Sequence, residues 1–282
     1  MNRFYFTFFA SVIFLFAVFP SANAQYYYKD IWTIQQSNKE FSILKNENIR
    51  TVSIKSFEDD GEPSEGFYCE KKIDRNFLRS EMISRSYITQ QSLLASNYND
   101  KGWVLKTTDS SQTSLARSEY EYDSKGRITK VSTFTKANDE KGGISEVHQY
   151  FYNEAGRPEK MIRRKNNADV SVVNFTVDEK GNVIEEQEIV RGVKGRNFLY
   201  YYDDKNRLTD VVKYNTRAKR LLPDYMYEYN QQGQIKQMIA TDENINNYFV
   251  WKYTYNDRRL RETEKCFTKE KRLLGSIQYH YK

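Results

Sequence analysis

Tyr120-Glu-Tyr-Asp-Ser-Lys-Gly-Arg-Ile128 is one of six similar stretches in this 282-residue chain. The others are Tyr150-Phe-Tyr-Asn-Glu-Ala-Gly-Arg-Pro158, Phe175-Thr-Val-Asp-Glu-Lys-Gly-Asn-Val183, Tyr200-Tyr-Tyr-Asp-Asp-Lys-Asn-Arg-Leu208, Tyr227-Glu-Tyr-Asn-Gln-Gln-Gly-Gln-Ile235 and Tyr253-Thr-Tyr-Asn-Asp-Arg-Arg-Leu260. A weaker copy, Tyr98 to Val104, precedes them, and a truncated one, Tyr279-His-Tyr281, follows. The Asp/Asn anchors at 99, 123, 153, 178, 203, 230 and 256 recur about every 26 residues, a period that signals stacked supersecondary units.

The physics of one unit is readable. Aromatics three and one residues before the anchor share one face of a strand, so Tyr120 and Tyr122 face one way and Glu119 and Glu121 the other. Asp123, Asn153, Asp178, Asp203 and Asn230 open a turn by bonding their own backbone. Three residues on, Gly126, Gly156, Gly181, Asn206 and Gly233 accept positive φ, which suits a hairpin loop with a G1-type bulge. An aliphatic residue five after the anchor starts the return strand, and another often lies three further on (Val131, Met161, Val211, Met238). A spacing of three cannot hold one face of a straight strand, so a bulge is expected between them. Three departures stand out. Pro158 predicts a strand start or local break, Glu186 replaces the second apolar residue, and Leu260 comes one residue early with no Gly before it, predicting a distorted last hairpin.

Over residues 96–282 the pattern resembles the YD repeat of the Rhs family. The resemblance implies a long antiparallel sheet of hairpins that curls. In large members such a sheet wraps a toxin as a hollow shell or builds a rod on a cell-surface receptor, and related repeats are linked to carbohydrate binding. No recognisable toxin domain follows the repeats, so an encapsulating role is not expected.

The composition fits this reading. Aromatics at 15% and hydrophobics at 39% are too many for a disordered chain, and two Cys are too few for a disulfide scaffold. Phe6 to Phe19 is an apolar run preceded by Arg3 and followed by Pro20 and Ala22-Asn23-Ala24, the pattern of a secretory signal peptide cleaved after Ala24. Residues 25–95 read as a divergent β cap of degenerate repeats, with strands at Ile49–Ile54 and Phe67–Ile73 and a short helix around Ile31 to Gln36. The fold expected is therefore all-β: repetitive antiparallel hairpins in one curled or partly closed sheet of about 16 to 20 strands. A membrane barrel is disfavoured by charges on both faces of the return strands: Lys130, Lys160, Arg163, Glu185, Glu186 and Lys236. An integral membrane protein is accordingly not expected.

No catalytic motif or metal-ligand spacing is present, and no cofactor or metal is expected. His148 and His280 fall on ordinary strand positions, and the Asp59-Asp60 and Asp203-Asp204 pairs fall in turns. Cys69 and Cys266 lie near opposite ends of the array, so a disulfide between them would report a sheet closed on itself. The inter-repeat connections should share one sheet edge. They carry Arg163, Arg164, Lys165, Arg191, Lys194, Arg196, Arg217, Lys219 and Arg220, a basic edge for an anionic polysaccharide or lipid headgroup. The abundance of Tyr suggests that part of the aromatic face is wet, as in a trough. These features together predict an exported, non-enzymatic β-repeat protein of the periplasm or cell surface. It would bind glycan through the basic edge and Tyr-rich face. The alternatives are a structural subunit that binds another envelope protein and, less favoured, an enzyme; nucleic acid is not an expected partner.

Overall fold

The computed structural model describes residues 26–87, 89–216, 218–242 and 247–282. The signal-peptide reading of residues 1–24 lies outside them. Helix α1 (Tyr28–Asn46) comes first. Strands β1 (Thr51–Phe57), β2 (Tyr68–Ile73), β3 (Arg79–Arg85), β4 (Ser92–Tyr98) and β5 (Val104–Ser111) follow. The repeats supply β6 (Ser114–Tyr122), β7 (Ile128–Ala137), β8 (Ile144–Tyr152), β9 (Pro158–Lys165), β10 (Asp169–Val177), β11 (Val183–Val190) and β12 (Val193–Tyr202). They continue through β13 (Leu208–Asn215), β14 (Arg220–Tyr229), β15 (Ile235–Asp242), β16 (Asn247–Tyr255), β17 (Arg261–Thr268) and β18 (Leu273–Tyr281).

Each strand pairs antiparallel with the next, and β1 also pairs with β18, with Val52 opposite Tyr281 and Ile54 opposite Tyr279. The chain is therefore all-β in its sheet, and the sheet is fully closed: an up-and-down barrel of 18 strands rather than a curled or partly closed array. Arg50 and Thr51 N–H both donate to Lys282 O, which seals the junction. Closure brings no disulfide, because Cys69 and Cys266 are free thiols buried in the core.

The bulge expected from the spacing of three is present in every repeat. Tyr122 pairs with Ile128 and Glu121 with Lys130, leaving Thr129 as the extra residue. The same shift falls at Tyr152, Val177, Tyr202, Tyr229 and Tyr255. It explains the preference for Tyr just before the anchor. The Tyr122, Tyr152, Tyr202, Tyr229, Tyr255 and Tyr281 hydroxyls donate to the first return-strand carbonyl of the preceding repeat, at 2.6 to 2.8 Å. These hydroxyls are satisfied by backbone, so no wet trough is needed to account for them.

The last hairpin is not distorted. Arg259 takes φ 62°, the position Gly126 fills at φ 81°, and Asn256 N–H bonds Leu260 O as Asp123 N–H bonds Arg127 O. Leu260 thus matches the residue after the turn glycine, and Arg261 takes the first inward position of the return strand, opposite Tyr255. Pro158 does begin a strand, opposite Tyr152.

A circular barrel of 18 strands would measure roughly 35 Å across its backbone, far wider than a helix. Helix α1 runs inside it, packed against aromatics of the wall. Helix residues touch wall residues on opposite sides: Phe41 stacks on Tyr98 of β4 at 3.5 Å between centroids, while Trp32 meets Tyr227 of β14 at 5.1 Å. The helix is much longer than the turn or two expected at Ile31 to Gln36. No described helix is long and apolar enough to cross a membrane.

Candidate functional site

The wall position five residues before each anchor points into the lumen, and it is larger on β12–β16 than on β6–β10. It is Ser118 on β6, His148 on β8, Val173 on β10, Phe198 on β12, Tyr225 on β14 and Trp251 on β16. The large members grip the helix. Tyr26 packs on Phe198, Tyr200 and Tyr225 with centroids 5.7 to 6.0 Å apart, and Tyr28 meets Tyr200 edge-on at 5.2 Å. The small members leave space. A cavity of about 410 Å³ lies between α1 and a wall made chiefly of β1–β9, with Arg196, Arg261, Tyr279 and Tyr281 also on its lining.

One stripe of α1 faces this cavity: Tyr27, Asp30, Thr33, Ser37, Glu40 and Leu44, at helical spacings of three and four. The stripe covers about 25 Å of helix, so the cavity is a channel along it. The facing wall is rich in hydroxyls, including Ser80, Ser96, Thr107, Ser118, Thr133 and Thr135. Ile144 and Lys165 also line it, and Ile144 is 51% exposed, so the channel reaches the rim where the inter-repeat connections lie.

Most charged groups at this end are engaged with one another. The buried His148 Nδ1 lies 2.6 Å from Asp30 Oδ2 of the helix, and its Nε2 lies 2.7 Å from Glu146 Oε1. Burial pushes the imidazole down, but the two carboxylates outweigh it and raise its pKa to about 9. Burial would raise Glu146, yet His148 and Arg163 overcome it and lower its pKa to about 2. The Tyr150 hydroxyl donates to Asp30 Oδ2 at 2.8 Å and is within 2.9 Å of Tyr27 O. Deeper, Glu186 accepts the Tyr27 and Tyr28 N–H groups at 2.8 to 3.0 Å and so caps a helix that has no side-chain cap of its own. Burial is the largest influence on Glu186 and pushes its pKa up to about 7. Glu188 pairs with Arg196 at 3.2 Å and accepts the Tyr27 hydroxyl at 3.0 Å. Across the lumen, Arg261 pairs with Glu264 at 2.6 Å, and Glu264 also accepts the Tyr279 hydroxyl at 2.6 Å.

The residues assigned to a basic edge separate into three places. Arg163, Lys165 and Arg196 lie on inward positions of β9 and β12 and line the channel. Arg164 is on the outer face, where its guanidinium meets Gln149 Oε1 at 3.3 Å. Arg191, Lys194, Lys219 and Arg220 are exposed at or beside the hairpin tips. Arg217 lies outside the described residues. Strand alternation is the reason for the split, since Arg163 to Lys165 sit inside β9 and not in a loop.

The turn residues serve the turns. Asp123 Oδ1 accepts the Lys125 and Arg127 N–H groups, Asp203 does the same for Lys205 and Arg207, and both carboxylates pair with the arginine four residues on. Asn153, Asp178 and Asn230 accept the equivalent amides of Arg157, Asn182 and Gln234. Gly126, Gly156, Gly181, Asn206 and Gly233 all have φ between 59° and 91°. His280 is exposed on β18. No group of three or more metal-ligating side chains occurs among the described residues. Reading by sequence overlooked Asp30, Glu146, Glu188 and Glu264. The one signal was present at Glu186, an acid at an apolar position of the repeat.

No protein-family model matches the chain, and no curated protein does. Among solved structures the chain is similar to a porin-like protein from Bacteroides uniformis ATCC 8492, at 8% identity and TM-score 0.42, over 83% of this chain and 96% of that one. It is also similar to the complex TcdB2-TccC3-TEV, at 13% identity and TM-score 0.34 over 76% of this chain. A Tc holotoxin pore of Photorhabdus luminescens is similar at 11% identity and TM-score 0.35, again over 76%. The match spans 12% of the length of each of these two toxin chains.

Proposed function

We propose that this chain is an exported, non-enzymatic binding protein of the cell envelope that takes a glycan into the channel beside α1. The observation that carries the reading is the one-sided lumen. Aromatics fix the first half of the helix against β12–β14, and a hydroxyl-lined channel of about 410 Å³ remains, chiefly against β1–β9, within the usual range for a small-ligand site. Serine and threonine hydroxyls can each donate and accept, as a polyhydroxylated ligand requires. The Tyr-rich face assigned to sugar stacking is committed to the helix and the bulges, so the channel and its rim replace it.

The polarity of the wall supports a barrel standing in water. The outer face carries the pairs Lys106–Glu119, Lys130–Glu121 and Lys236–Glu228, all well exposed, and Lys252 opposite Lys265. A lipid-facing barrel has the opposite arrangement, apolar outside and polar within. The non-enzymatic reading is supported by the engagement of the buried acids with helix or wall partners.

A second reading, a structural subunit that binds another envelope protein, is favoured by one outer row. Met226, Ile239, Val250 and Phe267 are direct cross-strand neighbours on β14–β17.

The test is calorimetric titration of the protein with oligosaccharides, before and after Ser118→Trp. Trp already fills the equivalent position at Trp251, so the wall accommodates it. The expected result is a folded variant that has lost saccharide binding. Undiminished binding overturns the lumen site. Loss of an envelope-protein contact on Val250→Asp, with no saccharide bound by either protein, favours the second reading.

A further inference from the structure

Arg163 and Lys165 are two apart on β9 and face the same end of the channel. Arg163 uses one terminal nitrogen on Glu146 Oε2 at 2.6 Å. Its Nε is also buried and has no hydrogen-bond partner among the described residues. A buried guanidinium N–H left unpaired is costly, and such groups are retained where something else accepts the bond. Lys165 makes no ion pair among the described residues, although the channel mouth brings Glu146 close in register. His148 and Arg163 are held by Asp30 and Glu146. Glu188 and Arg196 pair with each other. Asp169 stands opposite Lys165 on the inner face at the mouth, with no ion pair between them among the described residues.

Building on the glycan reading above, we infer that this end of the channel recognises a single carboxylate on the sugar, as in a uronic acid residue, through the Arg163 Nε–H and the Lys165 ammonium. One free N–H direction beside an ammonium that makes no ion pair suits a carboxylate that accepts a hydrogen bond from each residue. Hydroxyls of the same sugar ring would meet Thr133, level with Lys165, and the wall serines, so acid and polyol recognition are parts of one site.

The test uses calorimetry on the full mature protein with cellobiouronic acid and its neutral counterpart cellobiose. The acid is expected to bind at least tenfold more tightly. Lys165→Met should remove most of that preference, Arg164→Met on the outer face should leave it intact, and added salt should weaken the acid more than the neutral sugar. Equal binding of the two sugars, both blocked by Ser118→Trp, overturns the carboxylate site and leaves the lumen reading standing. Equal losses from Lys165→Met and Arg164→Met overturn it as well. Binding of neither sugar, or binding unaffected by Ser118→Trp, removes the lumen reading and this inference with it.

Discussion

Asp30 on the helix and His148 on the barrel wall are joined by a 2.6 Å contact, and Glu146 holds the far side of the same imidazole at 2.7 Å. This links the contents of the barrel to its wall through one titratable group. The pKa of His148 is raised from 6.5 to about 9. A raised histidine stabilises the fold fully below its unfolded pKa and loses that contribution as pH rises through the folded value. Melting temperature should therefore fall between about pH 6.5 and 9, by the equivalent of up to about 3 kcal/mol. In His148→Gln this slope should be absent. A wild-type profile flat across that window would contradict the bridge.

Glu186 acts in a lower window. Its pKa is raised from 4.5 to about 7, so the folded protein holds a proton that the unfolded chain releases, and stability should fall as pH rises from 4.5 to 7. Glu186→Gln should flatten that fall and still accept a helix N–H. Glu186→Ala should cost about 1–3 kcal/mol at every pH, because it strands the amides of Tyr27 and Tyr28. Chemical denaturation at pH 4.5 and 7 reads both variants.

The tyrosine ladder makes a comparative prediction. Tyr152→Phe and Tyr229→Phe each remove a hydroxyl donating at 2.6 Å to a bulge carbonyl, and each should cost about 1 kcal/mol. Tyr201→Phe, on the outer face and 49% exposed, should be neutral within about 0.5 kcal/mol. Equal effects at all three positions would show that the hydroxyls are not the reason for tyrosine.

Turn chemistry predicts opposite signs at equivalent positions. Arg259 holds φ 62°, so Arg259→Gly should stabilise by about 0.5–1 kcal/mol. Gly126 has φ 81° and a Cβ there would lie 2.5 Å from the Trp103 ring, so Gly126→Ala should lower the melting temperature. Thermal melts of the two variants check the pair.

The cysteines offer a chemical probe of closure. Burial pushes both thiols up to about 12, and both are free. Neither should react with a thiol reagent at pH 8 until the protein unfolds, and both should then react. Rapid labelling of Cys69 in the native protein would show the β1–β2 junction open.

Much of the fold was legible because each repeat states its own geometry. The Asp/Asn anchor, the turn glycine and the spacing of three gave the turns and bulges. The extra residue Thr129 is where that spacing requires it. Closure was not legible, since the β1–β18 pairing joins Val52 to Tyr281 with no local signal of its own. Helix α1 was read short because Asp30, Ser37 and Glu40 look like a solvated face, whereas they face a polar channel inside the barrel. The basic edge failed for a related reason. Arg163 and Arg164 are neighbours in sequence but lie on opposite sides of the wall, and only the strand boundary, which reaches Lys165, decides which is which. Among the repeat's departures, Glu186 marked where the helix is held, and His148, on an unremarkable strand position, marked the same site without announcing it.

The most direct measurement compares thiol labelling inside the lumen. Ser118→Cys and Thr107→Cys face the channel, whereas Val211→Cys faces the packed side, where Val211 is fully buried. A small water-soluble methanethiosulfonate should modify the first two in the folded protein and spare the third, and modification at Ser118→Cys should abolish saccharide binding. Equal protection of all three, or free labelling of Val211→Cys, would contradict a barrel filled on one side and open to ligand on the other.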